Sequence, residues 1–410
     1  MVDRNIQYPD GGYGWVVTLS AALITGFGTT AYKLVGQIYM NMLQNTNYTR
    51  SQVAVVYFSL KLNLFAAIFS TKLAELYSFR VTLFCGSFLF GLGLCLSSIA
   101  TNNLGIFTLT LVIAGMGAGG CVTPSNAVVG LYFKKKRPIA MGLMTSLSGI
   151  ISLVMPITLQ WFLDEFSLNG ALLLWGGLVI HGCVAAMFIR QPTWALQRGK
   201  LNNDTNDAKR TFLKTSFISK NIYNFFKLVL TQFVNDCRHF RQFTFIVLLV
   251  SRCSFMIATT SVPFILPQYA AEQIDGITST EIAFLLSVFY FGDVISRLLG
   301  GSLNIYIPSK YRRTAFLISF LCIATILLSF KLVHSYVTAL VVCLIYGIFN
   351  GHAFVTYYLI IFDTFGPADS PGVIALHVAV FGIFLLLTAP LTVNIILYLF
   401  LLAWIRDVTG

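Results

Sequence analysis

The sequence predicts an all-α polytopic membrane protein, and three observations lead there. Of the 410 residues, 57% are apolar and only 10% are charged, whereas soluble domains are roughly half apolar and about a quarter charged. The mean hydropathy is +0.79. The apolar residues gather in runs long enough for the roughly 20-residue helix that crosses a bilayer. This composition excludes a soluble enzyme, a disordered chain and a disulfide-rich secreted domain.

Eleven apolar runs follow one another at about 14–43, 51–77, 81–100, 104–130, 138–161, 171–189, 242–270, 279–301, 314–330, 335–361 and 372–405. Inside lipid the backbone must satisfy its own hydrogen bonds, so each run is expected to be a helix. The first run is entered through Asp10-Gly11-Gly12-Tyr13-Gly14-Trp15. Asp10 suits the N-terminus of a helix starting near Gly14, and Trp15 suits the headgroup region. The second carries Lys61, expected to snorkel or to form a structural pair. After the sixth run the composition changes. Residues 190–241 hold ten Lys/Arg, three Asp and a polar tract at 201–207. The chain therefore divides into 1–190 with six spans, a loop at 191–241, and 242–410 with five clear spans. Within the loop, Thr211–Phe233 is either an amphipathic helix on the membrane face or a flexible tether. The N-terminus lacks a basic-then-apolar leader, so no removable signal peptide is expected.

The net charge of +12 comes from 27 basic and 15 acidic residues. With the N-terminus and the even-numbered loops inside, 20 basic residues fall on inner loops, three on outer loops and four within spans. Inner loops collect Lys and Arg, so the charge is a topology signal with a cytoplasmic N-terminus and no nucleic-acid partner. Seven of the eight cysteines lie in apolar runs and Cys237 in the basic loop. They read as free thiols, and no metal-ligand spacing is present.

Ionisable residues at membrane depth are rare, face the interior or a water-filled path, and mark function. Here they are Lys33, Lys61, Arg252, Asp293 and Arg297. Asp293 and Arg297 stand four apart and share one face of the eighth span. They read as a substrate and proton site, with a static packing pair as the alternative. Arg297 can grip a carboxylate at two points, and Asp293 can accept a proton while the anion occupies the arginine. Lys33 lies about two-thirds along the first run. It reads either as a snorkelling lysine or as a group that takes a proton and attracts the anion. The histidines His181, His352 and His377 read as packing residues, and the short sequon at 47–49 lies too close to the membrane for glycosylation.

Six spans, a long inner loop and a second set of spans form the plan of the major facilitator superfamily, whose halves hold the substrate site between them at mid-depth. Three segments resemble the monocarboxylate transporter family within it. They are Asp10–Trp15; Tyr132-Phe133-Lys134-Lys135-Lys136-Arg137 with Ala140 and Gly142; and Asp293, Arg297 and Gly301. Arg80-Val81-Thr82 fits more weakly. The resemblance covers roughly 10–190 and 240–390. It implies a transporter and no enzyme, working by alternating access, with Lys33, Asp293 and Arg297 at the substrate and proton site. Asn350 and Tyr357 of the tenth span become possible cavity-lining residues. Asp10, Gly11, Trp15, Tyr132, Phe133 and Arg137 form the conformational signature. It implies small monocarboxylate anions such as lactate or pyruvate as cargo, a proton as co-substrate, no other cofactor and no metal. A plasma-membrane location and a single-span immunoglobulin-like glycoprotein partner are implied as well.

The chain departs from the family in three places. Met144, Ser146 and Leu147 stand where small residues usually follow the second signature, so packing of the fifth span is expected to be altered. Asn169-Gly170 replaces Arg-Gly before the sixth span. Trp404–Gly410 resembles the outer loop preceding a twelfth span, and that span is expected to be missing or altered. The alternatives are therefore a carrier of aromatic amino acids or other amphipathic solutes without proton coupling, and a non-transporting, truncated product.

Overall fold

The computed structural model describes residues 9–45, 48, 52–53, 59–60, 63–191, 237–274, 276–330, 333 and 335–409, with side chains considered as far as Gly382. Lys61, Asn47 and Thr49 of the sequon, and the whole 192–236 stretch, including Thr211–Phe233, lie outside these residues.

Helix follows helix along the chain. α1 is Tyr13–Lys33, α2 Val35–Asn45, α3 Asn63–Leu76, α4 Phe79–Ile99, α5 Leu104–Tyr132 and α6 Arg137–Met187. A short 3-10 turn at Cys237–Arg241 leads into α7, Phe243–Gln273. α8 is Ser279–Tyr306, α9 Ser309–Ser329 and α10 Tyr336–Thr409. Among the described residues, eight helices have the length and hydropathy to cross a bilayer.

The difference from eleven runs has physical causes. α6 is 51 residues long, about 77 Å at 1.5 Å per residue, far more than one crossing of a roughly 30 Å hydrocarbon core. Ser167, at φ 56° and ψ −179°, breaks it into two limbs that correspond to the runs 138–161 and 171–189. Gly366, at φ 73°, does the same in α10. The first run is interrupted as well: α1 stops at Lys33 and α2 resumes at Val35. The run at 51–77 is described only in part.

Local chemistry sets several helix starts. Asn103 accepts hydrogen bonds from the backbone N–H groups of Gly105 and Ile106, capping α5. Thr278 and Glu281 form a reciprocal capping box at α8, which occupies donors that a helix N-terminus leaves bare. Pro138 sits in the first turn of α6, where its missing N–H is harmless.

Small residues bring the helices together, as expected where apolar burial alone does not drive association. Gly86, Gly93, Gly117 and Gly120 line the crossing of α4 and α5 and face the partner's backbone. α6 and α8 cross where Gly142 meets Gly301: a Cβ on Gly142 would stand 2.7 Å from the Gly301 Cα and 2.9 Å from the Arg297 carbonyl oxygen. Ser146 donates to the Val294 carbonyl at 3.2 Å along the same seam. The departures after the second signature therefore leave a close α6–α8 contact in place. α10 also packs against α3, α5 and α6, so helices before and after residues 192–236 meet at several contacts.

Candidate functional site

The Gly142–Gly301 crossing lies one turn beyond Arg297 on α8. Deeper in the membrane, α8 meets α10 at a second small-residue contact. Gly347 packs on the Phe289 carbonyl and Gly351 on the Asp293 carbonyl. No side chain separates the backbones there, so Asn350 reaches Asp293 and donates from Nδ2 to Oδ1 at 2.8 Å. Asn350 Oδ1 in turn accepts from the Thr259 hydroxyl of α7 at 2.6 Å.

Asp293 and Arg297 form an ion pair, Nη2 to Oδ2, at 2.7 Å, with side chains 1% and 7% exposed. The Arg297 guanidinium also lies 4.1 Å from the centre of the Phe354 ring. Its Nε has no hydrogen-bond partner among the described residues. Lys33 approaches from α1, with its ammonium 4.9 Å from the Tyr290 ring centre. α1 ends at this residue, and the lysine turns inward instead of snorkelling out.

Lys33, Asp293, Arg297 and Asn350 line one cavity of about 40 Å³, together with Met256, Thr259, Thr260, Phe289, Tyr290 and Phe354. That volume has room for about three water molecules. With Asp293 ionised and Lys33 protonated, the three ionisable groups carry one net positive charge, which favours a single anion.

Tyr357 lies elsewhere. It is buried, and its hydroxyl is hydrogen-bonded to His377 Nδ1. The Arg252 guanidinium stacks on its ring, 4.4 Å from the centre. His352 bonds Ser319 at 2.8 Å, and His181 bonds carbonyls of its own helix. The neutral cavity residues Met256, Thr259, Tyr290 and Phe354 were not singled out from the sequence. A Thr or Phe in a span looks the same whether it faces lipid or cavity.

The conformational signatures meet away from the cavity, at the ends of α1, α5 and α6. Asp10 does not cap α1: residue Gly12 holds the cap position, with no side-chain bond. Instead Asp10 Oδ1 accepts from the backbone N–H of Lys134 at 2.6 Å and of Lys136 at 3.4 Å, and its own N–H donates to the Tyr132 carbonyl. The turn before α6 offers these backbone donors close by, whereas α1 begins beyond Gly11 and Gly12. Gly14 is required by the approach of Phe133, since a Cβ there would stand 2.9 Å from its ring. Trp15 packs on the same ring at 4.9 Å. Arg137 donates to the Phe133 carbonyl at 2.9 Å and covers the Phe362 ring of α10 at 4.6 Å. The Tyr132 hydroxyl donates to the Arg190 carbonyl at 2.9 Å. Two segments 120 residues apart thus form one latch.

Residues 18–389 match the family model of the Major Facilitator Superfamily. The chain belongs to this superfamily. It is 28% identical to monocarboxylate transporter 2 of Meriones unguiculatus over 88% of this chain and 73% of that protein. It is 27% identical to monocarboxylate transporter 2 of Homo sapiens over 74% of this chain and 62% of that protein. The fold is similar to a crystal structure of the superfamily transporter FucP in its outward conformation. The TM-score is 0.65 at 16% identity, covering 93% of this chain and 91% of that one. All three relatives are transporters, not enzymes, and this chain is an integral membrane protein of the transporter fold. The resemblance to monocarboxylate transporters extends over most of its length.

Proposed function

We propose that this chain carries small monocarboxylate anions across the plasma membrane together with a proton. The observation that carries this reading is one buried cavity shared by Lys33 of α1 and the Asp293–Arg297 pair of α8. The cavity is net positive and offers Arg297 as a two-point carboxylate donor. An anion entering it competes with Asp293 for the guanidinium, and Asp293 is then free to take a proton. Lys33 adds attraction from α1.

Energetics favour the coupling. A lone anion crossing the membrane feels about 2.3 kcal/mol per 100 mV, and a proton moving with it cancels that term. The charge distribution of the loops supports a cytoplasmic N-terminus. Helices on either side of the 191–241 loop then rock about the site, exposing it to one face at a time.

An aromatic amino acid fits less well. Its ammonium would enter a cavity that already holds two cationic side chains, Lys33 and Arg297, against one carboxylate. The test is uptake of L-lactate into proteoliposomes holding the purified chain, with and without an acid-outside gradient. Faster uptake under the gradient, lost in Arg297→Gln, is expected. Gradient-independent uptake, or none, overturns the reading.

A further inference from the structure

Arg252 is a second buried cation, and the mechanism above does not use it. It sits on α7, one turn from the cavity residue Met256 and two from Thr259, toward the end of α7 that adjoins residues 192–236. It is 3% exposed, and among the described residues no carboxylate lies within ion-pair distance of it. Its surroundings are aromatic: Phe354, Tyr357 and Tyr358 place ring centres 5.2, 4.4 and 5.4 Å from the guanidinium carbon. Nη2 donates weakly to the Tyr358 hydroxyl at 3.4 Å. Nη1 is buried and has no hydrogen-bond partner among the described residues. His377, bonded to the Tyr357 hydroxyl, has an unpartnered Nε2 as well.

A guanidinium cannot shed its charge, and aromatic faces recover only part of what desolvation costs. The free donor therefore calls for an anion. The place of Phe354 says which one. Its ring touches both arginines, with Arg297 4.1 Å and Arg252 5.2 Å from its centre. The two guanidinium carbons are thus at most about 9 Å apart, and one ring is shared between them.

We propose that Arg252 is a second carboxylate-binding station on the transport path. An anion leaving Arg297 passes the Phe354 ring and is received by the free Nη1 of Arg252 before release on the side of the 191–241 loop. No covalent step is involved. The inference rests on the carboxylate reading of the main cavity, and the test separates the two.

The purified full chain is heated in rising L-lactate at constant ionic strength, and its melting temperature is followed. Lactate is expected to raise the melting temperature of the wild-type chain. Arg297→Gln is expected to retain a saturable rise with about tenfold weaker affinity. The double variant Arg252→Gln/Arg297→Gln is expected to show none. Lactate exchange in proteoliposomes is expected to fall at least tenfold in Arg252→Gln and to recover partly in Arg252→Lys. A rise abolished by Arg297→Gln alone overturns the second station, as does exchange at the wild-type rate in Arg252→Gln. Should Arg252→Gln not fold, Arg252→Lys decides in the Arg297→Gln background: lactate affinity unchanged by the loss of the two-point grip overturns the station. Failure of the carboxylate reading shows differently, as absence of lactate flux in the wild-type chain. A lactate response that then persists in Arg297→Gln and vanishes in the double variant still supports Arg252 as an anion site.

Discussion

The Asp293–Arg297 pair is open to a double-variant cycle that separates a transport site from a packing device. Asp293→Asn keeps the side-chain shape and the acceptor for Asn350 but strands Arg297. Removing one partner of a buried pair costs about 3–5 kcal/mol. The Phe354 ring at 4.1 Å still faces the stranded guanidinium and keeps it from being wholly uncompensated, which places the loss at the lower end of that range. The loss is therefore expected near 3 kcal/mol. Arg297→Gln strands Asp293, which keeps the Asn350 donor and can be neutralised by taking a proton, so a similar loss is expected. The double variant leaves two neutral amides of matching shape and is expected to regain most of the stability. At about 2.1 cal/mol/K per residue, the 410 residues give an unfolding entropy near 0.9 kcal/mol/K. Each single variant should then melt about 3–4 °C below the wild-type chain, and the double within about 1–2 °C of it. Lactate uptake should be lost in all three. A double variant that melts and transports like the wild-type chain would refute the site and leave a packing pair. Single variants as stable as the wild-type chain would refute the buried-charge reasoning.

Four further outcomes are expected. Lys33→Ala should raise the apparent KM for the anion and flatten the dependence of uptake on external pH; an unchanged pH profile removes Lys33 from the mechanism. Gly142→Leu places a side chain where even a Cβ would stand 2.7 Å from the Gly301 Cα. Such overpacking costs about 1–3 kcal/mol, so the melting temperature and uptake should both fall, with Gly142→Ala milder. Asp10→Asn retains the oxygen that accepts from Lys134 and Lys136 and should keep most of the uptake. Asp10→Ala loses that acceptor, worth about 1 kcal/mol at a solvated turn, and should transport more slowly; equal rates in the two variants would rule out the latch. Glu281 accepts from the Thr278 N–H and hydroxyl, and these bonds hold its carboxyl below the usual value. A group lowered in this way keeps its contribution at neutral pH and loses it only as pH falls through the lowered value. Glu281→Gln, which preserves the capping-box pattern, should therefore leave the pH profile of uptake unchanged between pH 5.5 and 7.5.

Apolar runs revealed most of the spanning helices, because lipid leaves the backbone no alternative to its own hydrogen bonds. They did not reveal how the helices join. The breaks at Ser167 and Gly366 fall in the polar gaps at 162–170 and 362–371 that the runs announce, but residue types did not show that helix continues up to a single bent residue on each side. The ionisable residues were legible for a similar reason: a charge in a span is costly enough to stand out. Lys33, Asp293 and Arg297 were found this way and share the cavity. Arg252 was found too, but apart from Phe255 on its own helix its aromatic surroundings come from α10, some 100 residues away, and no local pattern carries those. Asn350 was visible as a polar residue in an apolar run, whereas Tyr357 looked equivalent and belongs to the Arg252–His377 cluster. The partner of Asp10 was hidden because the donors are backbone groups of residues 134 and 136, which side-chain identity does not encode.

Site and helix crossing are linked by the spacing on α8. Arg297 precedes Gly301 by four residues, one helical turn. The Arg297 carbonyl itself lies against Gly142 of α6, where a Cβ would be 2.9 Å away. A ligand that draws Arg297 away from Asp293 therefore strains the same turn of α8 that rests on α6, and glycines on both sides leave no side chains to absorb the movement. Eight residues beyond Phe354, the ring partner of Arg297, α10 meets the helices of the first half at Phe362. There the ring fills the space beside Gly130, where a side chain on that residue would clash, and lies under the Arg137 guanidinium at 4.6 Å. Arg137 opens α6 directly after the turn that Asp10 holds. The signatures at 10–15 and 132–137 thus bear on the position of α6, and α6 bears on the turn of α8 that carries Arg297. Substitutions in the signatures should accordingly change the rate of exchange more than the affinity for the anion, since no signature residue lines the cavity.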